Sequence, residues 1–133
     1  MKQNKFKNYT CSICETQYEA DEVTYTCPKD GGNLTINLDY EAIRRSVRID
    51  QITSCMDYSL WRYLPLLPVD DPGGFDTPLR MAGWTPIYSP PALKNQLDLK
   101  QLWIKDEGRN PTASFKDRAS AVVVARAQQI NAE

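Results

Sequence analysis

Histidine is absent from the 133-residue chain. Catalysis by a Ser–His–Asp or Cys–His arrangement within it is thereby excluded, and so is any metal site with an imidazole ligand. Proton transfer falls to Lys, Asp, Glu, Tyr or Cys. Long apolar runs are missing too: the longest reach about five residues, as at 121–125, against the roughly 20 that cross a bilayer. Met-Lys-Gln-Asn-Lys-Phe-Lys at the start leads into no apolar segment and is not expected to direct secretion. Sixteen Lys and Arg against seventeen Asp and Glu leave a net charge of −1, which supports neither a basic nucleic-acid surface nor a polybasic membrane anchor. Cysteines number only four. In the cytoplasmic, reducing setting expected here they read as metal ligands or free thiols before disulfides.

What is present suits a soluble globular chain: 41% apolar and 25% charged residues, enough for one modest domain or a small module joined to part of something larger. Residues 1–38 hold three of the four cysteines, the pair Gly31-Gly32, and two β-favouring runs, Val23-Thr24-Tyr25-Thr26 and Leu34-Thr35-Ile36. They predict a small β-rich module, too short to hold a core without a staple. Residues 39–133 form the second part. Asp39 is placed to cap a helix running through Tyr40, Ile43, Val47 and Ile52. Seven of the nine prolines then fall within 64–91, which suppresses helix. Trp61, Tyr63, Leu66, Leu67, Phe75 and Trp84 are too apolar for a solvated linker, so an ordered wrapping connector is expected. A short strand is predicted over 102–105 with Leu102 and Ile104 on one face. A helix is predicted over 114–129, where Gly and Pro are lacking, with Ser114 and Asp117 spaced as a capping box. Strand, tight loop and helix make half of a βαβ unit, so the fold class is α/β.

Cys11-x2-Cys14, twelve residues, then Cys27-Pro28-Lys29-Asp30 describe two knuckles bridged by a hairpin-length spacer, the pattern of a zinc ribbon. Asp30 stands where such a ribbon has its fourth cysteine. Three thiolates and one carboxylate form an acceptable but weaker zinc set than four thiolates. A decayed, metal-free ribbon is the competing reading. Cys55 lies well outside the pattern and reads as a small buried hydrophobe. Lys116 falls in the first turn of the predicted helix, where the positive end of the macrodipole disfavours a cation and favours the neutral, nucleophilic amine. Its bland alternative is a solvated lysine paired with Asp117 or Glu107.

Asn110-Pro111-Thr112-Ala113-Ser114-Phe115-Lys116-Asp117-Arg118 closely resembles the lysine motif of fold-type II pyridoxal-phosphate enzymes, the group containing threonine synthase, threonine dehydratase and cysteate synthase. Lys105-x-Glu107 is similar to the strand end that precedes that motif. Gly83-Trp84-Thr85-Pro86-Ile87 is similar to the Gly-Gly-Thr-Pro-Leu entry, with Trp84 replacing the second glycine. Trp61-Arg62-Tyr63-x4-Pro68-Val69 and the N-terminal ribbon resemble the threonine-synthase-like members in particular. Ala113 stands where glycine is often found. The resemblance implies an incomplete N-terminal part of a tryptophan synthase β-like fold preceded by the zinc-ribbon-like module. Lys116 would hold pyridoxal phosphate and move protons at the substrate α and β carbons. Phe115 and Asn110 would shape the pocket near the cofactor ring, while Ser114 and Thr112 would order the loop. Cys11, Cys14, Cys27 and Asp30 would hold the zinc.

The implied reaction converts O-phosphohomoserine and water to threonine and phosphate, in a full-length form expected to be a homodimer. The group's dehydratase and cysteate-forming activities are the nearest alternatives; a non-enzymatic zinc-ribbon module and a pseudo-enzyme are the more distant ones. A phosphate cup of backbone N–H groups usually needs a glycine-rich loop opening a helix. The six glycines, Gly31, Gly32, Gly73, Gly74, Gly83 and Gly108, make no such loop. The cup and the partner of the pyridine nitrogen are therefore expected beyond residue 133, and the fragment alone is not expected to be competent.

Overall fold

A computed structural model describes residues 5–74 and 76–132; Phe75 of the expected connector lies outside the described residues. The chain divides into two compact units, Met1–Cys55 with Tyr63–Asp71, and Met56–Arg62 with Pro72–Glu133.

In the first unit three antiparallel strands, β1 (Phe6–Cys11), β2 (Gln17–Tyr18) and β3 (Leu34–Leu38), are ordered β2-β1-β3. Tyr9 lies opposite both Tyr18 and Ile36, and Cys11 opposite Leu34, with an irregularity between Phe6 and Asn8. Cys11, Tyr18, Val23 and Cys27 form a buried cluster against which Tyr9 and Leu34 pack. This core is small, and half of it is sulfur-bearing, as expected for a module that needs a staple. The run Val23-Thr24-Tyr25-Thr26 is not a strand. It keeps only the isolated bridge of Thr26 to Asn33, because Val23 turns inward to the core while Tyr25 faces solvent.

Asp39 caps α1 (Tyr40–Ser46), its side chain accepting the Ala42 N–H at 2.8 Å. The single helix expected through Ile52 is instead two. Val47 and Arg48 are extended, at φ −108° and −109°, before α2 (Ile49–Thr53) begins. A β-branched residue favours that geometry, and the Gln51 side chain secures the restart by accepting the Arg48 N–H at 3.0 Å. Neither helix buries a residue, so no packing opposes the break.

A 3-10 helix, Leu60–Leu66, carries the chain between units and accommodates Pro65. In the second unit, Trp61 is buried and its indole N–H donates to Leu79 O at 2.8 Å. Arg80 pairs with Asp57 at 2.5 Å. These contacts tie described residues of the proline-rich path to the unit. Strand β4 (Ile87–Tyr88) precedes α3 (Pro91–Gln96), whose first position takes Pro91 at no hydrogen-bonding cost. The expected strand shortens to β5 (Ile104–Lys105), which pairs antiparallel with β4, Ile87 opposite Lys105. A turn of 3-10 helix, Glu107–Arg109, leads to α4 (Lys116–Gln129), which buries Ala121 and Ala125. Among the described residues no helix is long and apolar enough to cross a membrane.

Among the left-handed positions of this unit, Gly83, Trp84 and Ala113 fall in the motifs singled out above. Gly83 adopts φ +98°, and a Cβ there would meet the Leu60 backbone nitrogen at 2.6 Å. Trp84 at φ 51° and Ala113 at φ 56° take the same region without being glycine. These are the two positions where the chain departs from glycine in the lysine and Thr-Pro motifs. Ala113→Gly is expected to stabilise the unit by about 1 kcal/mol, strain relief exceeding the entropy lost on ordering a glycine. Gly83→Ala is expected to destabilise it by about 2 kcal/mol or more, since clash adds to strain. Urea unfolding midpoints of the two variants measure both.

Candidate functional sites

The first site lies where β1 ends. Cys11 is its last residue, and the turn that follows is closed by Glu15 N–H to Cys11 O at 3.2 Å. The Ile13 and Cys14 N–H groups point at Cys11 Sγ from 3.3 and 3.5 Å. The second knuckle is closed by Gly31 N–H to Cys27 O and Cys27 N–H to Gly32 O, each 2.9 Å. These turns bring the donor atoms of Cys11, Cys14, Cys27 and Asp30 within 4.8 Å of one another. Cys14 and Cys27 sulfurs are 3.7 Å apart, and Cys11 Sγ is 3.3 Å from Asp30 Oδ1. A tetrahedral zinc with bonds of about 2.3 Å to sulfur separates its ligand atoms by about 3.8 Å, so the donor set fits that ion in type and spacing. Gly32 donates its N–H to Asp30 Oδ1 at 2.9 Å, and a Cβ on Gly32 would stand 2.6 Å from Cys11 Sγ. Glycine is needed there to leave room for sulfur and carboxylate. Cys55 stays outside the cluster.

The cluster's electrostatics differ from thiol to thiol. Burial pushes the Cys11 thiol up to about 11. Burial would also raise Cys27, but the Tyr18 hydroxyl and the Lys29 backbone N–H outweigh it, and this thiol is lowered. Hydrogen bonds from Cys14 and the Gly32 N–H hold the Asp30 carboxyl well below the usual range. The Tyr18 phenol is pushed up to about 12 by its contact with Cys27 and by burial. A divalent cation, if bound, would supply the charge that lets the buried Cys11 ionise.

The second site is the start of α4. Lys116 is its first residue and is exposed. Its side chain faces solvent. An apolar hollow of about 170 Å3 lies against the same helix, lined by Leu79, Ala82, Pro111, Ala121 and Val124 among others, without Lys116. The expected capping box also differs. Ser114 Oγ accepts the Lys116 N–H at 3.1 Å, whereas the Asp117 carboxylate turns back to Thr112, accepting its N–H at 2.8 Å and its hydroxyl at 2.5 Å. Shorter than Glu, Asp117 reaches that loop amide instead of the helix-capping backbone. Phe115 is 67% exposed beside the lysine.

Asn110 is buried, and its amide is fully employed. Oδ1 accepts the Gly83 N–H at 2.9 Å, while Nδ2 donates to Glu107 Oε2 at 2.8 Å and to Glu107 O at 3.1 Å. Glu107, which the sequence marked as part of a strand end and as a possible partner of Lys116, is the centre of this network. Arg118 grips it with two nitrogens at 2.8 and 2.9 Å, and the Thr85 hydroxyl donates to it at 2.7 Å. The Lys105 amine is 3.9 Å from the same carboxylate and donates to Thr85 O at 2.9 Å. Spacing alone hides these partners, because Thr85 and Gly83 are more than twenty residues from Glu107.

Both carboxylates available to neutralise Lys116, Asp117 and Glu107, are thus engaged elsewhere, and its amine is accessible. That fits the anchoring role for pyridoxal phosphate. The glycines present form no phosphate cradle among the described residues; Gly108 sits in a single 3-10 turn. Lys116 would suit the covalent end of such a cofactor, while the described residues show no cradle for its phosphate end.

Arg118 chiefly, with Thr85 and Asn110, lowers the Glu107 carboxyl to about 2. Because the folded value lies below the unfolded one of about 4.3, its contribution is complete above that pH and is lost as pH falls through about 2. Acid titration of stability should therefore show a step in this window that Glu107→Gln lacks. The variant should be less stable at neutral pH and converge on the parent in acid, as followed by circular dichroism.

Residues 79–133 match the family model described as pyridoxal-phosphate dependent enzyme. Curated relatives extend the likeness over nearly all of the chain. A threonine synthase from Methanocaldococcus jannaschii is 40% identical over 123 residues, 92% of this chain and 29% of that protein. One from Methanosarcina acetivorans is 37% identical over 121 residues, 90% of this chain and 28% of that protein. One from Synechocystis is 35% identical over 74 residues. The chain spans less than a third of the length of the first two, and no solved structure matches it. The chain is thus similar to the pyridoxal-phosphate dependent enzyme family over residues 79–133 and, over most of its length, to the N-terminal portion of threonine synthases.

Proposed function

We propose that this chain contributes the catalytic lysine of a threonine synthase acting on O-phosphohomoserine. The observation that carries the reading is Lys116 at the first position of α4, accessible and with its neighbouring carboxylates committed to Thr112 and Arg118, inside the 110–118 motif. Pyridoxal phosphate, when bound, supplies an electron sink for carbanions of an amino-acid substrate. The residues of this chain supply the rest of what can be derived. Lys116 Nζ, on the first residue of α4, would hold the cofactor covalently and move protons at the substrate α and β carbons. Asn110, tied to Gly83 and Glu107, fixes the loop that precedes the helix. Phe115, exposed beside Lys116, offers an apolar wall to the cofactor ring.

The test joins this chain to the sequence that follows it in its relatives. Borohydride reduction with pyridoxal phosphate should label Lys116, and phosphate should be released from O-phosphohomoserine. Lys116→Ala should abolish labelling and lower turnover by about three orders of magnitude or more. Label on Lys94, Lys100 or Lys105 in its place overturns the assignment, and ammonia release from threonine moves the chemistry to the dehydratase class. The 133-residue chain alone should take up the cofactor only weakly, and tight stoichiometric uptake would contradict the division of the site.

The same proposal gives residues 1–38 a structural zinc ion held by Cys11, Cys14, Cys27 and Asp30, which staples a core otherwise built on a few side chains. The expected result is one zinc per chain by metal analysis. Asp30→Cys should tighten binding in chelator competition, because thiolate is the better donor for this borderline-soft ion.

A further inference from the structure

Tyr18 sits on β2, 9% exposed, inside the cluster that contains two of the cysteines. Its hydroxyl is 3.1 Å from Cys27 Sγ, closer than either backbone N–H that approaches Cys11 Sγ. Cys27 is 1% exposed, so water does not solvate its sulfur. A cysteine bound to a metal has lost its proton and can only accept; the phenol must then be the donor. Three thiolates and one carboxylate bring four negative charges against two on a divalent ion, leaving an excess of two in a partly buried site. Donors aimed at the sulfurs offset that excess, and groups in this role set metal affinity nearly as strongly as some ligands do. Cys14, by contrast, is exposed and open to water.

We infer that Tyr18 is the positioning residue of the metal site, its hydroxyl donating to the Cys27 thiolate and so orienting that ligand and moderating its charge. This rests on the reading of Cys11, Cys14, Cys27 and Asp30 as a metal site. Tyr18→Phe keeps the ring in the core and removes only the donor. Tyr9→Phe serves as the control, since Tyr9 lies opposite Tyr18 on β1 and packs on the same cluster without a hydroxyl contact to sulfur.

The experiment loads the whole 133-residue chain with zinc and, separately, with cobalt(II). Tyr18→Phe should weaken zinc by about 10–100-fold in chelator competition. It should also move the thiolate-to-cobalt charge-transfer band to lower energy, because a sulfur lone pair without its donor lies higher. Tyr9→Phe should leave both readings unchanged. In the zinc-loaded parent, the Tyr18 hydroxyl proton should be protected from solvent exchange, a reading that needs no variant. Affinity and band unchanged in Tyr18→Phe overturn the inference, as does weaker binding with an unmoved band, which would mark a packing role alone. A parent chain that takes up neither metal would fail earlier, at the metal site itself, and remove the inference with it.

Discussion

The grip of Arg118 on Glu107 is the constraint on which the second unit turns. Arg118 is on the first turns of α4, Glu107 follows β5, and the same carboxylate receives Thr85 from the segment ahead of β4 and Asn110 from the loop between. Four stretches of chain thus meet on two carboxylate oxygens. A partly buried carboxylate with a bidentate arginine and two further donors has its desolvation cost met by hydrogen bonds on both oxygens. Through Asn110 the constraint passes to the Gly83 amide. The start of α4, and with it Lys116, is held by groups that never touch the lysine.

Much of this was legible along the chain, and the exceptions have physical causes. The α4 helix and the Asp39 cap followed from propensity and capping, both local properties. The break at Val47 and Arg48 did not, because a stripe of apolar residues predicts burial and neither α1 nor α2 buries anything. Strand pairing was also beyond reach. The antiparallel match of β4 with β5 depends on a turn through α3 that no local pattern encodes. At the sites, Lys116 and the four donors were visible as motif and spacing. Tyr18 was not, since nothing in a β-strand pattern says which hydroxyl will meet a sulfur. Glu107 was seen as a motif letter, but its role as a hub required partners more than twenty residues away.

The two candidate sites use opposite strategies for holding a reactive group. In the cysteine cluster every donor is tied to its neighbours, and two of the four are buried; the arrangement suits a group meant to stay put. At α4 the surrounding polar groups satisfy one another and leave a single amine without a committed carboxylate. The order lies in the frame and the freedom in the side chain.

The left-handed positions bear on how substitutions would be tolerated. A random library spanning residues 83–113 would be sorted by backbone sign more than by side-chain chemistry. Position 83 would survive almost only as glycine, because the Leu60 amide occupies the place of a Cβ. Position 113, whose Ala sits exposed at φ 56°, would be enriched in glycine and asparagine. Trp84 would resist the same drift, because its ring packs at a tilt against Tyr58 with centroids 5.0 Å apart and lies 4.3 Å from the Arg62 guanidinium. A bulky aromatic in a glycine's conformation is thus held by Tyr58 and Arg62, and those two should tolerate little change for as long as it remains.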